Sequence, residues 1–219
     1  MSDVRRELVE YGVKIAGAGL VAGAGGNISA RDGDLVWMKP SGIAVDDMAP
    51  EDLCGMVTAT GEQREGKNRP TSEVNMHLAV YRARPDVVAL FHIHSPWACG
   101  VISSGRELKP MFAEFVCDLG RVKTIPYITP TTSELAEAMA EKAKQADTIL
   151  MVNHGVAALG VTMKQAYYRC LVVEDAAKSL VAACAVGKPR FLNEKQVEEL
   201  MKLEAPKHRV RMMEGGEQK

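Results

Sequence analysis

Two short apolar runs that end in histidine constrain the fold of this chain more than any other feature. Residues 87–94 read VVALFHIH, and residues 148–153 read TILMVN and are followed directly by His154. Short apolar runs bounded by turn residues are typical of buried strands. Residues two apart in a strand point to the same face, so His92 and His94 should lie side by side. The chain is therefore predicted to build a sheet that carries imidazole groups at the ends of buried strands.

Helix signals interleave with these strands along the whole sequence. Thr71 or Ser72 can cap one helix, Thr131 opens a second and Thr162 opens a third. An Asp-Gly turn at residues 32–34, between two strand-like runs, predicts a β-hairpin. Helices that alternate with strands indicate an α/β fold.

Length and composition favour one domain that binds neither nucleic acid nor membranes. The 219 residues suit a single domain, which we place at residues 1–206, followed by a polar and mobile tail at 207–219. With 27 Lys and Arg against 28 Asp and Glu, the net charge is -1, which provides no overall attraction to nucleic acid or an anionic membrane. The five cysteines are widely spaced, and the N-terminus lacks the apolar region of a signal peptide. The predicted location is the reducing cytoplasm.

The histidines at the strand ends form a candidate metal site. Three imidazoles that meet at about 2.0–2.1 Å from one ion leave a fourth position open, as in catalytic zinc sites. A single histidine near a core is more often a hydrogen-bonded structural residue, and this alternative applies to each of them. His92, His94 and His154 are, however, three of only five histidines in the chain, and all three end strands. The pattern favours a Zn²⁺ site, with Mn²⁺ or Co²⁺ as alternatives.

A second candidate site combines a carboxylate with small hydrogen-bond donors. Glu73 falls in the first turn of a predicted helix, where its simplest role is to complement the helix dipole. The two residues before it offer hydroxyl groups and helix-start N–H groups, which suit a phosphate, beside a carboxylate that could move a proton. Further small donors lie on two turns. The candidate phosphate-binding residues are Asn27, Ser41, Gly42, Thr71 and Ser72.

Five motifs in chain order resemble the class II aldolase/adducin-head family. They are GN-x-S at residues 26–29, PSG at 40–42, TSE at 71–73, H-x-H at 92–94 and NHG at 153–155. The resemblance covers nearly the whole chain and implies a three-layer α/β/α fold with a central, mostly antiparallel sheet flanked by helices. It also implies a homotetramer with active sites at subunit boundaries. In that family pattern the three histidines bind the metal, the candidate phosphate-binding residues hold a substrate phosphate, and Glu73 is the catalytic acid/base.

The glutamate at position 73 favours an aldolase within this family. The epimerases of the family resemble this sequence but carry an aspartate there, and its decarboxylases can carry a lysine. The implied reaction cleaves a ketose 1-phosphate, either fuculose 1-phosphate or a 5-deoxy- or 5-thio-pentulose 1-phosphate, into dihydroxyacetone phosphate and an aldehyde through a metal-stabilised enediolate. An epimerase, dehydratase or decarboxylase of the same family is the alternative, and a non-catalytic scaffold like the adducin head is a third hypothesis.

Two positions depart from the family pattern. The tyrosine proton donor, which the family supplies across the subunit boundary, has no tyrosine counterpart in residues 109–115. Glu114 is the nearest proton donor there, and we expect it to be catalytic. The C-terminal aromatic residue of the family is also unmatched in residues 205–209, where His208 could occupy similar space. Both departures concern the part of the site that binds the aldehyde half of the substrate.

Overall fold

The computed structural model describes residues 4–215, and within them eight strands form one sheet. The strands are β1 (Asn27–Asp32), β2 (Leu35–Met38), β3 (Cys54–Val57), β4 (Gln63–Glu65), β5 (Ala89–Ile93), β6 (Val122–Ile125), β7 (Thr148–Met151) and β8 (Gly155–Gly160). Their order across the sheet is β4-β3-β2-β1-β5-β8-β7-β6. Neighbouring strands are antiparallel except for β6 and β7, which are parallel. The predicted mostly antiparallel sheet is confirmed.

Helices cover both faces of this sheet. They are α1 (Val4–Gly17), α2 (Val74–Ala83), α3 (Pro96–Ser103), α4 (Ala113–Asp118), α5 (Ser133–Ala143), α6 (Met163–Val186), α7 (Glu194–Lys202) and α8 (Glu204–Met213). Along β5, Phe91 packs into a core shared with α1, α3, α4 and α6, whereas Leu90 packs into a core shared with α2 and α5. Alternate strand residues face opposite sides, so one sheet separates two hydrophobic cores. This is the expected α/β/α arrangement.

Local sequence signals explain several element boundaries. The hairpin of β1 and β2 turns at Gly33, whose φ of +61° is readily accessible to glycine. Thr162 caps α6 as predicted, with its Oγ1 accepting a hydrogen bond from the backbone N–H of Gln165 at 3.1 Å. The prediction that Thr131 caps α5 is wrong by one residue. Thr132 is the N-cap and accepts from the backbone N–H of Leu135, while Thr131 has a φ of +70° in the preceding turn.

Two features near the C-terminal half were not predicted. Strand β8 follows His154 directly, because Asn153 adopts a φ of +54° and turns the chain back along β5 and β7. The predicted division at residue 206 falls inside α8, where Met213 is buried and its carbonyl oxygen accepts a hydrogen bond from Thr162 Oγ1 at 2.5 Å. Residues 216–219 of the predicted tail lie outside the described residues. In the part of the chain that is described, no helix has both the length and the apolar character needed to cross a membrane.

Candidate metal centre and active site

The three predicted metal-binding histidines converge at one edge of the sheet. His92 lies within β5, His94 directly follows that strand, and His154 lies in the turn between β7 and β8. Because β5 and β8 are antiparallel neighbours, the end of β5 meets the start of β8. One nitrogen of each ring lies within 4.8 Å of a nitrogen of the other two. The sheet register therefore assembles a group of three imidazoles from residues about 60 positions apart.

Gly155 makes this close approach of the rings possible. A Cβ atom at position 155 would lie 2.5 Å from the carbonyl oxygen of Ile93 and 2.8 Å from both His92 Cε1 and His94 Cδ2. Contacts below 3.0 Å between a Cβ and these atoms require something to move. The glycine of the NHG motif is thus a packing requirement of the histidine cluster, defined here as His92, His94 and His154.

Hydrogen bonding orients the ring of His92. Its Nδ1 lies 3.1 Å from the carbonyl oxygen of Val156, which can only accept, so Nδ1 carries a proton and donates. In the neutral ring Nε2 then has a free lone pair, and it faces Glu73 Oε2 at 3.2 Å. Two lone pairs at this distance repel each other unless a proton or a metal ion neutralises them. The arrangement therefore calls for a positive charge among these atoms.

The spacing and chemistry of the donor atoms fit a divalent transition-metal ion. The Nε2 atoms of His92 and His94 lie 2.9 Å apart. Two ligands at 2.0–2.1 Å from a tetrahedral ion would be separated by about 3.3 Å, so a small outward shift admits the ion. Glu73 Oε1 lies 3.2 Å from His154 Nε2 without a well-directed hydrogen bond. Imidazole nitrogens with a neighbouring carboxylate are a preferred environment of zinc.

Glu73 occupies the N-cap position of α2, which corrects the prediction that it lies in the first turn after a Thr71 or Ser72 cap. Its side chain makes no capping hydrogen bond to the helix and turns inward, where it is only 5% exposed. Burial raises the pKa of this carboxyl group, but contacts with His154, His92 and Asn27 outweigh burial and hold the pKa well below its usual range. These contacts thus favour the charged form of Glu73.

The two segments predicted to bind phosphate lie side by side. An isolated bridge pairs Pro40 with Pro70, and the backbone N–H of Thr71 donates to the carbonyl oxygen of Lys39 at 3.1 Å. This pairing brings the turn containing Ser41 and Gly42 next to the start of α2. The side chains of Ser41 and Ser72 are exposed, whereas Thr71 is buried and its Oγ1 accepts from the backbone N–H of Glu73.

Asn27 is engaged differently from the prediction. Its Nδ2 donates to Glu73 Oε2 at 2.9 Å, and its Oδ1 contacts the Nε2 of His77. The side chain is 5% exposed, and one Nδ2 proton remains for any other partner. In the structure Asn27 binds the carboxylate of Glu73, whereas the sequence analysis predicted that it binds phosphate.

The predicted catalytic Glu114 does not join the histidine cluster within one protomer. It lies on α4 with an exposed side chain and forms an ion pair with Arg209 of α8 at 3.5 Å. His208 is exposed on α8. Both residues thus lie on the surface formed by the C-terminal helices.

Two polar residues near the site were missed by the sequence analysis. Lys39 is buried, which lowers its pKa, and its Nζ donates at 3.2 Å to the carbonyl oxygens of Ala24 and Pro40. His77 is fully buried behind Asn27, and burial lowers its pKa to about 3. The spacing of His77 four residues after Glu73, on one helix face, was the available signal. No comparable local pattern marks Lys39.

Comparison with known proteins agrees with the fold and the motifs. The class II aldolase and adducin N-terminal domain model matches residues 6–181. A 5-deoxy-D-ribulose 1-phosphate aldolase from Bacillus thuringiensis serovar kurstaki is 37% identical over 201 residues, covering 90% of this chain and 93% of that protein. A 3-oxo-tetronate 4-phosphate decarboxylase from Escherichia coli O6:H1 is 29% identical, covering 90% and 95%. A solved L-fuculose 1-phosphate aldolase structure has a TM-score of 0.84 and 30% identity, covering 91% and 95%. The chain belongs to the class II aldolase and adducin N-terminal domain family.

Proposed function

We propose that this protein is a metal-dependent aldolase that cleaves a ketose 1-phosphate into dihydroxyacetone phosphate and an aldehyde. One observation carries the proposal: the buried carboxyl group of Glu73 lies 3.2 Å from the Nε2 atoms of both His92 and His154. A proton-transfer group is thereby held directly beside a metal-binding set of imidazoles. Relatives named as aldolases of 5-deoxyribulose 1-phosphate and fuculose 1-phosphate support the same reaction.

In this proposal His92, His94 and His154 hold the metal ion. Zn²⁺ is the proposed ion because three imidazoles with one open position suit it, and Mn²⁺ or Co²⁺ could replace it. A bound divalent cation would act as a Lewis acid that stabilises negative charge developing on the substrate oxygens. The Nδ1–H of His92, fixed on the carbonyl oxygen of Val156, keeps the Nε2 of that ring available as a ligand.

Glu73 moves the proton at the carbon next to the ketone. As a carboxylate it would accept a proton from C3 of dihydroxyacetone phosphate in the condensation direction, and it would return that proton in the cleavage direction. Its Oε2 is held by Asn27, whereas its Oε1 has no hydrogen-bond partner among the described residues. Oε1 is therefore the oxygen that we assign to proton transfer.

The substrate phosphate is proposed to bind between the two segments joined by the Pro40 and Pro70 bridge. The backbone N–H groups of Ser41 and Thr71 donate to the carbonyl oxygens of Arg69 and Lys39, so Ser41 and Thr71 would offer their hydroxyl groups. Gly42 and Ser72 would offer backbone N–H groups, Ser72 also its hydroxyl group, and the remaining Nδ2 proton of Asn27 can add one donor. The first backbone N–H groups of α2 favour an anion at this place. The buried ammonium group of Lys39, which donates to the carbonyl oxygen of Pro40, adds positive charge beside the first of these segments.

We further propose a cytoplasmic homotetramer with active sites at subunit boundaries. The C-terminal region supports subunit contact, because Phe191, Met201 and Leu203 expose 40%, 50% and 53% of their surface and α7 has no buried residue. Glu114 is then the proposed proton donor that one subunit supplies to the aldehyde half of the substrate in its neighbour. The five cysteines are free thiols, as expected in a reducing compartment.

A decarboxylase, dehydratase or epimerase acting on a related sugar phosphate is the second candidate. The similarity to a 3-oxo-tetronate 4-phosphate decarboxylase over 90% of the chain favours this candidate. Such an enzyme would keep the metal and phosphate sites and differ in its proton-transfer groups. A non-catalytic scaffold is a weaker candidate, since it has no need for an ionised carboxylate beside the histidine cluster.

The test is exchange of the C3 proton of dihydroxyacetone phosphate for deuterium, followed by NMR, because this half-reaction requires no aldehyde. We expect exchange with the zinc-loaded protein, none after EDTA treatment, and a loss of about 10²- to 10⁴-fold in Glu73→Gln. Glu137→Gln, which changes an exposed glutamate of α5, is the matched control and should exchange at the wild-type rate.

The outcomes separate the candidates. No exchange by protein that has bound zinc would contradict the aldolase and favour the second candidate. Glu114→Gln should slow the cleavage of 5-deoxyribulose 1-phosphate while leaving C3 exchange unchanged, because Glu114 is assigned to the aldehyde half. Equal loss in both assays would contradict that assignment.

A further inference from the structure

A network of buried, hydrogen-bonded polar side chains extends from Glu73 into the core between β1 and α2. Asn27 and Ser29 come from β1, and His77 and Tyr81 come from α2. His77 Nε2 contacts Asn27 Oδ1, and His77 Nδ1 lies 2.6 Å from Ser29 Oγ. The hydroxyl oxygen of Tyr81 lies 2.9 Å from the same Ser29 Oγ. All four side chains are at most 5% exposed.

The orientation of the Asn27 amide sets the direction of the next two hydrogen bonds in this network. The Nδ2 of Asn27 donates to Glu73 Oε2 at 2.9 Å, and Asn27 Oδ1, which can only accept, faces the Nε2 of His77. His77 therefore carries its proton on Nε2 and donates to Asn27. Its Nδ1 is then an acceptor, so Ser29 Oγ donates to it. Both nitrogens of a fully buried, neutral imidazole are thus used to hold one orientation of the Asn27 amide.

We propose that His77 is a positioning residue that holds Glu73 ready for proton transfer, an inference that rests on the proposed role of Glu73. The Nε2–H of His77 favours the orientation in which the Asn27 Nδ2 faces Glu73. In the flipped amide, Oδ1 would face the carboxylate and repel it. With Oε2 bound to Asn27, Oε1 is the oxygen left free of hydrogen bonds beside His154.

Substitution of His77 tests this role through kcat and KM. His77→Leu fills the site without a donor, whereas the amide nitrogen of His77→Gln can reach the place of Nε2 and donate to Asn27. We expect His77→Leu to lower kcat for C3 exchange by about 10- to 100-fold with an unchanged KM for dihydroxyacetone phosphate. His77→Gln should stay within about 3-fold of wild type. Val80→Ala, another fully buried change on α2, controls for core packing and should keep the wild-type kcat.

A measurement on the wild-type protein does not depend on whether a variant folds. Histidine ¹⁵N NMR, assigned by the resonances missing in His77→Gln, reports which nitrogen of His77 carries the proton. We expect protonated Nε2 and bare Nδ1. A proton on Nδ1 would overturn the proposal, because His77 could then not donate to Asn27.

The kinetic outcomes also decide the matter. If His77→Leu keeps the wild-type kcat, or if His77→Leu and Val80→Ala lose the same fraction of kcat, His77 contributes packing alone and the proposal is wrong. Equal losses in His77→Leu and His77→Gln would likewise contradict the donor role. If the zinc-loaded wild type shows no exchange, the proposed function fails. The position of the proton on His77 still decides whether the hydrogen bonds through His77 and Asn27 orient Glu73.

Discussion

Two clusters of charged and titratable side chains lie at opposite ends of the β5 and β8 strand pair, and they differ in how fully their carboxylate oxygens are hydrogen-bonded. The histidine cluster and Glu73 lie where β5 ends and β8 begins. At the other end, where Ala89 pairs with Gly160, Asp147 meets Arg84 and Arg121. We call this second group, Arg84, Arg121 and Asp147, the arginine cluster.

The arginine cluster is closed. Asp147 Oδ1 accepts from Arg84 at 3.3 Å and from Arg121 at 3.2 Å, and its Oδ2 accepts from the side chain and backbone of Arg121 at 3.1 Å. Burial raises the pKa of Asp147, but the Arg121 contacts outweigh it and lower the pKa from 3.8 to about 2. Both oxygens of this carboxylate accept hydrogen bonds within the protein, which indicates a structural role rather than ligand binding.

The histidine cluster is open by the same criterion. Glu73 Oε1 and His154 Nδ1 lack hydrogen-bond partners among the described residues. Buried polar groups without partners are costly unless a ligand completes them. Asp147 thus has both oxygens hydrogen-bonded, whereas Glu73 leaves Oε1 without a partner, and this difference between the two carboxylates distinguishes the candidate active site from the ion cluster.

The largest expected effect comes from removing a metal ligand. His94→Ala should abolish metal binding and lower activity by about 10³-fold or more, because the Lewis acid supplies several kcal/mol. Metal analysis of the purified variant and its circular dichroism spectrum provide the measurements. We expect a folded, metal-free protein. Gross unfolding would instead mean that His94 is structural and that the two clusters are alike.

Removing the charge of the closed cluster should affect stability and leave chemistry intact. Asp147→Asn leaves Arg84 and the exposed Arg121 without their partly buried carboxylate, so we expect a loss of about 2 kcal/mol in the free energy of unfolding. Urea unfolding at a fixed protomer concentration measures this loss. The kcat of the folded variant should equal that of wild type. A lower kcat would show that the ends of the strand pair are coupled.

A matched pair of glycine substitutions tests geometry at the two ends of β8. A Cβ at position 155 meets the histidine rings, whereas a Cβ at position 160 lies 2.5 Å from Thr162 O and 2.6 Å from the Ala166 nitrogen. Both changes should reduce stability. Only Gly155→Ala should also weaken metal affinity, by about 10- to 100-fold. Equal metal affinities in titrations of the two variants would contradict the packing role of Gly155.

The smallest effect is a pH dependence that belongs to Asp147. Its folded pKa of about 2 lies below the ordinary 3.8, so its stabilising contribution is present above pH 4 and is lost as the pH falls towards 2. The stability difference between wild type and Asp147→Asn should therefore shrink by about 2 kcal/mol over this range. His77, with a pKa of about 3, titrates in both proteins, so its contribution cancels in the stability difference between them. A difference that does not change with pH would contradict the assignment.

Much of the fold and part of the candidate site could be predicted from local patterns. The Asp-Gly hairpin, the Thr162 cap and the two histidine-ended strands depend on residues close together in sequence, and each is present in the structure. Strand β8 was missed because its run of glycine, alanine and valine follows His154 with no turn signal other than Asn153. The roles of the histidines, Glu73, Glu114 and the phosphate-binding residues stay predictions.

Local sequence patterns were enough to predict the residue types of the site and the strands that carry its histidines, because apolar runs and helix caps act over a few residues. The contacts of Asn27 with Glu73 and of His77 with Asn27 became visible in the folded chain alone. The tertiary structure also decided that Gly155 leaves room for the rings and that Lys39 lies beside two turns. These contacts join residues up to 63 positions apart, and strand register and helix packing, which no local pattern encodes, bring them together.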